Sequence, residues 1–226
     1  MIANRSIGQR FELIIIDEKE LQSSTLLFRQ YTFKSMYIVP ELVTAAAVSR
    51  SHLNANFDIY AMVDYPKGSK KSTNKFHGMS TDFFMADGYD IVLSNYDTHD
   101  KLYHEIKEVS TFVKNMINPV AKICLTLNCS EKDDKSIQSC VEAAKNYGID
   151  KIKLESLTRL QPTKANSKTH LENVSNIKQL CSIPIILCGN VNKKIYNEMN
   201  NILAVSPQQM DDISQSILNE SKMSQV

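Results

Sequence analysis

The sequence is poor in several residue types and patterns that mark particular protein classes. Its 226 residues include no tryptophan and only six glycines and six prolines, which excludes low-complexity tracts and glycine-rich linkers. Lysine and arginine number 26 against 25 aspartates and glutamates, and this near-zero net charge argues against general nucleic-acid binding. No apolar run approaches the ~18 residues needed to span a bilayer, and the N-terminus lacks a signal-peptide pattern. We therefore expect a single cytoplasmic domain over residues 1–226 that does not contact membranes.

Metal-binding patterns are also scarce. The five cysteines contain no Cys-x-x-Cys pair, and four adjoin apolar runs, so reduced core thiols are favoured over a metal site. His99 and His104 lie among carboxylates and could bind a metal, but helix capping explains the same pattern better. We expect neither a metal nor another cofactor. The cysteines are Cys124, Cys129, Cys140, Cys181 and Cys188.

Eight short apolar runs alternate with longer amphipathic stretches along the whole chain. Several are apolar almost continuously, which is typical of parallel strands buried on both faces. The predicted strands are Leu13–Ile16, Met36–Val39, Ile59–Val63, Tyr89–Leu93, Val120–Leu125, Lys151–Leu154, Pro184–Cys188 and Ile202–Val205.

The stretches between the strands have helical spacing. Examples are the apolar series from Leu102 to Val113 and the series from Ile137 to Tyr147, which ends before Gly148. Strands and helices alternating in this way predict an α/β fold, a single (β/α)8 TIM barrel, with an open doubly wound sheet as the alternative. The barrel is favoured because no Gly-rich nucleotide loop follows the first strand. Functional residues are then expected at the C-terminal ends of the strands.

Four lysines follow the third strand on one predicted loop. They could bind an anion or a partner at the mouth of the barrel, particularly beside a helix N-terminus. A solvated turn built by Pro66 and Gly68 explains the segment equally well. The four are Lys67, Lys70, Lys71 and Lys75.

The sixth strand carries two lysines, Lys151 and Lys153, at strand spacing, so both point to the same side. If that side is the barrel interior, desolvation lowers the amine pKa and makes it a nucleophile towards carbonyls. Alternatively, the lysines extend past the strand end or pair with Asp150 and Glu155.

Motifs along the chain resemble deoxyribose-phosphate aldolase. They run in order from about residue 35 to residue 206: Tyr37-Ile38-Val39-Pro40, Val63-Asp64-Tyr65-Pro66-Lys67-Gly68 with Thr73 and Lys75, Asp87-Gly88-Tyr89-Asp90-Ile91-Val92, Gly148-Ile149-Asp150-Lys151-Ile152-Lys153 and Cys188-Gly189-Asn190-Val191. The resemblance implies a class I aldolase barrel in which a lysine of strand six forms a Schiff base with the substrate aldehyde. Lys153 falls on that position.

The chain departs from this family at the positions that perform its chemistry. The proton-transferring aspartate of strand four falls on Leu93, and the second lysine of strand seven falls on Ile186. The phosphate-binding segments read Leu154-Glu155-Ser156-Leu157, Gly189-Asn190 and Ala204-Val205-Ser206-Pro207, and Glu155 would repel a phosphate. We therefore expect a barrel that keeps the aldolase scaffold, has lost the catalysis and acts through its surface.

The whole chain, in length and in Asn/Lys/Ile-rich character, also resembles the inhibitors of prohead protease of T4-like phages. This resemblance implies a protein partner, either a phage maturation protease or a capsid or scaffold protein. It implies a location in the host cytoplasm or the prohead. An extended segment such as residues 158–167, or the tail at residues 219–226, could then occupy a protease cleft. Both segments can also be plain solvated chain.

Two other functions remain open. One is an active Schiff-base aldolase or lyase with Lys153 as nucleophile, assisted in proton transfer by Asp90 and Glu155 or Tyr96. The other is a non-catalytic small-anion binder that uses the loop lysines.

Overall fold

The chain folds into a closed barrel of eight parallel strands. The structure is a computed structural model that describes residues 7–66, 68, 71–76, 85–93, 99–128, 134–155, 182–189, 191, 193–198 and 202–223. Each strand pairs with the next, and β1 pairs with β8. This confirms the predicted TIM-barrel class and excludes the open sheet. The strands are β1 (Phe11–Ile15), β2 (Ser35–Ile38), β3 (Asp58–Val63), β4 (Gly88–Val92), β5 (Lys122–Asn128), β6 (Lys151–Glu155), β7 (Ile185–Cys188) and β8 (Ile202–Val205).

Helices surround the barrel on its outer face. They are α1 (Glu18–Gln30), α2 (Val43–His52), α3 (His99–Phe112), α4 (Asp134–Asn146), α5 (Lys193–Glu198) and α6 (Pro207–Met223), with 3-10 turns at Pro40–Leu42 and Ser72–Phe76 and a π turn at Val113–Ile117. The two apolar series that predicted helices form α3 and α4. Helix α6 continues to Met223, so the predicted tail begins as helix. Within the described ranges, no helix has the length and hydropathy that crossing a membrane requires.

The largest difference from the predicted strand boundaries is at β5. Val120 was expected to begin this strand, but it is 81% exposed and its backbone N–H donates to the side chain of Asn118. Asn118 and Pro119 form a turn here, which delays the strand to Lys122.

Apolar side chains form two separate layers, as alternation along buried strands requires. The outer layer packs between strands and helices, whereas the inner one fills the lumen. Gly88 makes room in the lumen, because a Cβ there would lie 2.8 Å from the ring of Tyr60. Cys124, Cys140 and Cys188 are buried free thiols, as predicted, while Cys129 and Cys181 lie outside the described residues.

Candidate functional site

Lys153 and Asp90 form an ion pair inside the barrel. Strand β6 turns Lys153 inward and β4 turns Asp90 towards it, and both side chains are completely buried. The Lys153 ammonium donates to one Asp90 carboxylate oxygen. The other oxygen accepts a hydrogen bond of 2.5 Å from the Thr126 hydroxyl of β5. Three neighbouring strands therefore hold one charged cluster in a lumen closed to solvent.

The surroundings of Lys153 favour its charged form. Burial has the largest single effect on the amine and lowers its pKa, but the Asp90 carboxylate and the weaker contributions of neighbouring groups together outweigh burial, and the net effect is a pKa raised above the ordinary lysine value. The ring of Tyr37 adds a cation–π contact, with its centroid 4.3 Å from Nζ. Burial acts on this pKa in the direction expected from the sequence, but the net shift is the opposite one, because the buried amine has an anionic partner. A protonated amine is not a nucleophile.

Strand β4 does place a carboxylate, that of Asp90, in contact with Lys153. The sequence analysis placed the family's aspartate at Leu93, but that side chain packs in the outer apolar layer. Asp90, three residues earlier, faces the lumen and contacts Lys153. Alternation along β4 could have found it, since Gly88, Asp90 and Val92 share one face.

Strand seven supplies no cation. Ile186 pairs with Lys153 in the strand register and is completely buried in the lumen. Ile186, the residue on which the family's second lysine falls, therefore lies beside Lys153 in the lumen. Nothing at Ile186 opposes the effect of Asp90 on the Lys153 amine.

The region where the aldolase resemblance places phosphate binding is occupied by the chain's own side chains. The Ser206 backbone N–H donates to Gln209 Oε1 at 3.1 Å, and the Gln209 backbone N–H donates to Ser206 Oγ at 3.2 Å. This is a capping box at the start of α6, with Pro207 in the first turn. Gln209 Nε2 also donates to the Gly189 carbonyl after β7 at 3.0 Å. Two amides that could face an anion are therefore already bonded.

Glu155 lies at the C-terminal end of the lumen, on the same strand face as Lys153. Its side chain is buried, and its negative charge contributes to the raised pKa of Lys153. A phosphate approaching this end of the barrel would be repelled by Glu155.

The four loop lysines do not form one surface group. Lys71 is exposed, but Lys75 is completely buried and pairs with Asp64 at 3.0 Å and with Glu105 of α3 at 3.2 Å. Its ammonium also donates to the Val92 carbonyl at 2.8 Å. Lys75 therefore fastens the loop to the end of β4 and is not placed to contact an external anion or partner.

Several predicted site residues lie outside the described residues. These are Lys67, Lys70, Tyr96 and the segment 158–167. Among the residues that are described, no group of three or more His, Cys, Asp and Glu side chains could hold a metal ion. The sequence analysis missed Thr126, Tyr37 and Gln209. The Ser-x-x-Gln capping pattern was readable, whereas the cross-barrel contacts of Thr126 and Tyr37 require the strand order.

Comparison with solved structures supports the fold and leaves the chemistry open. The barrel superposes on deoxyribose-phosphate aldolase from Aeropyrum pernix with TM-score 0.75 and 14% identity, covering 96% of this chain and 93% of the other. It matches a protein described as "QR15, an Aldolase" with TM-score 0.68 and 18% identity, covering 99% of each chain. The YdjI aldolase from Escherichia coli K12 aligns with TM-score 0.56 and 10% identity over 90% of this chain and 77% of that one. No family model and no curated protein sequence matches the chain. Its fold is thus that of the aldolase-like TIM barrels.

Proposed function

We propose that this chain is an aldolase-like barrel that no longer forms a Schiff base and that acts by binding another protein. The observation that carries the first half is the state of Lys153, whose amine is completely buried and paired with Asp90. Schiff-base formation requires a neutral amine that adds to a carbonyl and then loses water. Here the carbonyl has no access to the amine, and Asp90 favours its protonated form.

The α6 terminus supports the loss of the substrate site independently. Barrels that bind phosphorylated substrates use the loops after strands seven and eight with a nearby helix N-terminus. In this chain Ser206 and Gln209 satisfy those amides internally, and Glu155 adds negative charge nearby. Neither the Lys153 amine nor the start of α6 is therefore suited to a sugar phosphate.

The partner we propose is a protease of the kind that matures phage proheads, on the strength of the whole-chain resemblance to prohead protease inhibitors. The segment 158–167 would then lie extended in the protease cleft, or the chain end at 219–226 would do so after its first five residues leave helix α6. The experiment is a cleavage assay with purified maturation protease of a T4-like phage and its scaffold substrate, titrated with this chain. We expect saturable inhibition near a 1:1 ratio.

Two variants and a control locate the inhibitory segment. One replaces residues 158–167 by a glycine–serine chain of equal length, and the other ends after residue 218. The proposal predicts that one variant loses inhibition while its thermal unfolding stays unchanged, and that the double variant Asp90→Asn/Lys153→Met, which removes both buried charges together, inhibits like the wild type. Inhibition unchanged in both segment variants would refute the cleft mechanism. No inhibition by the intact chain would refute the partner.

A second candidate function is an active Schiff-base lyase, and one observation favours it. Asp90 is directly hydrogen-bonded to Lys153, so a base is in place to take the proton that the amine must lose before it adds to an aldehyde. This candidate requires the C-terminal end of the lumen to open and the substrate to lack a phosphate. Reductive trapping distinguishes it from the first proposal.

A further inference from the structure

A groove lies on the outer surface of the barrel between helices α1 and α6. Its volume is about 510 Å³, which is large enough for several side chains. Leu26, Leu27 and Pro207 contribute apolar surface to its lining. Leu27 is buried, but Leu26 is 64% exposed. We call this feature the α1–α6 groove.

The α1–α6 groove carries an excess of negative charge. Its charged lining residues are three carboxylates, Asp17, Glu20 and Asp211, and one ammonium, that of Lys19. Asp17 accepts from the Glu20 backbone N–H at 2.8 Å, and Asp211 accepts from the Gln215 side-chain amide at 2.9 Å. Because both donors are uncharged, they do not neutralise these carboxylates. Two such grooves would repel each other, so the groove does not suit a two-fold contact with its own copy.

A turn between α3 and β5 carries the most exposed apolar side chains. In the described part of the chain, the large apolar residues with the greatest exposure are Val120 at 81% and Met116 at 72%, followed by Leu26. Single exposed apolar residues are common on protein surfaces. Here two of them lie four positions apart on one turn, with the exposed Pro119 between them. We call residues 114–120 the 114–120 turn.

The same turn is positively charged. Lys114 is the only charged residue between positions 113 and 121. Its ammonium donates to the Ala121 carbonyl at 2.5 Å, and within the described residues it has no carboxylate partner. The turn therefore presents apolar side chains together with a cation, and this combination complements an acidic groove that is lined by leucines.

The groove and the turn lie on opposite sides of the barrel. Helices α1 and α6 pack beside β1, next to β8, whereas the turn leads into β5, next to β4. In a ring of eight strands in sequence order, these two positions are diametrically opposed. The turn therefore cannot reach the groove of its own chain, and two copies cannot exchange both contacts. Any contact between them runs head to tail and leaves one groove and one turn open.

We propose that the 114–120 turn of one copy inserts into the α1–α6 groove of the next, so that the chain associates with itself head to tail. Met116 and Val120 then pack against Leu26, and Lys114 faces the carboxylates of the groove. The contact is small and partly electrostatic, so the association is weak and decreases with salt. The buried ion pair of the lumen and the two segments proposed for the protease cleft take no part in it. Its test is therefore independent of the function proposed above.

The test is analytical ultracentrifugation of the full chain from about 10 μM to about 1 mM, the range of weak association. We expect the average mass to rise beyond that of a dimer, and to rise less in about 0.5 M NaCl. Leu26→Arg and the double variant Met116→Gln/Val120→Gln should each weaken association about tenfold or more. All three side chains are exposed, so folding should be unchanged. Val48→Arg, at an exposed apolar residue of α2 outside both features, should associate like the wild type.

Mixing the two variants tests the head-to-tail arrangement itself. Leu26→Arg keeps an intact turn and Met116→Gln/Val120→Gln keeps an intact groove, so an equimolar mixture should form a 1:1 dimer with wild-type affinity and grow no further. The proposal is overturned if the wild type stays monomeric over the whole range, or if the mixture associates no more than either variant alone. It is also overturned if the turn variant associates like the wild type, as a groove-to-groove dimer would.

Discussion

A lysine inside a barrel is reactive or inert according to which groups surround its amine. Lys153 would be a plausible nucleophile in an apolar lumen, because desolvation alone lowers its pKa. Asp90, with smaller contributions from neighbouring groups, reverses this effect, and Thr126 holds the Asp90 carboxylate in place with a hydrogen bond of 2.5 Å. At the residue scale the site is therefore a buried ion pair, and removing either side chain would leave the other charge buried without compensation.

Removing one partner of this pair should destabilise the fold more than removing both charges. Asp90→Asn leaves a buried ammonium uncompensated and should cost about 3–5 kcal/mol of unfolding free energy. Lys153→Met strands the Asp90 carboxylate and should cost a similar amount. The double variant should cost clearly less than the sum of the two single variants, as measured by urea unfolding. Additive costs would mean that the two residues do not interact as described.

The same pair predicts a pH dependence. The folded-state pKa of Lys153 is raised, so its contribution to stability is fully present below the unfolded lysine pKa of about 10.4. That contribution should decline only as the pH rises above this value towards the folded pKa. The unfolding free energy of the wild type minus that of the double variant Asp90→Asn/Lys153→Met, which has neither titrating group, should therefore stay constant from pH 7 to pH 9 and decrease at higher pH. A difference that already shrinks below pH 9 would contradict the raised pKa.

At the scale of single elements, periodicity in the sequence predicted the strands well because parallel strands buried on both faces are almost continuously apolar. The boundary error at Val120 arose because an apolar residue in a turn looks like the start of a strand. The buried role of Lys75 was unreadable for a different reason. It depends on Asp64 and on Glu105 of a later helix, which only the folded chain brings together.

Two glycines with positive φ allow the steric cost of an added side chain to be measured separately from its conformational cost. Both have positive φ, +59° at Gly68 and +66° at Gly148, but only Gly68 is crowded. A Cβ at Gly68 would clash with the Leu93 carbonyl and lie 2.9 Å from the Val92 carbonyl, whereas nothing lies within 4 Å at Gly148. Gly148→Ala should cost about 1–2 kcal/mol of unfolding free energy, and Gly68→Ala about 3 kcal/mol or more. Equal costs in thermal or urea unfolding would contradict the close packing of the β3 loop against β4.

The capping box of α6 gives a prediction for the region where the aldolase resemblance places phosphate binding. Gln209→Ala removes the side chain that accepts from Ser206 and donates to Gly189, and it should lower the unfolding free energy by about 1 kcal/mol. The wild type should show no thermal stabilisation by inorganic phosphate or deoxyribose 5-phosphate. Saturable stabilisation of the wild type by either compound would mean that the capped terminus still binds anions.

At the scale of the whole molecule, alternating elements were enough to predict the barrel, and the motif order was enough to identify its aldolase-like form. The candidate site was predicted only in part. The interior position of Lys153 was one of two alternatives that strand spacing left open, and the position of Ile186 followed from the order of the family motifs. Asp90 was named only as an assistant in proton transfer, while the family's strand-four aspartate was placed at Leu93, although side-chain alternation along β4 puts Asp90 on the lumen face and Leu93 on the other. The proposed protein partner has no local signal in the sequence, since surface recognition depends on residues that the fold does not constrain.

Reductive trapping tests the central claim most directly. The full-length protein is mixed with acetaldehyde or with deoxyribose 5-phosphate, reduced with borohydride and measured by intact mass, with Lys153→Ala as the control. The buried Lys153–Asp90 ion pair predicts no adduct that depends on Lys153 with either compound. An adduct that appears in the wild type and disappears in Lys153→Ala would show that the amine still forms a Schiff base, and the chain would then be a working lyase.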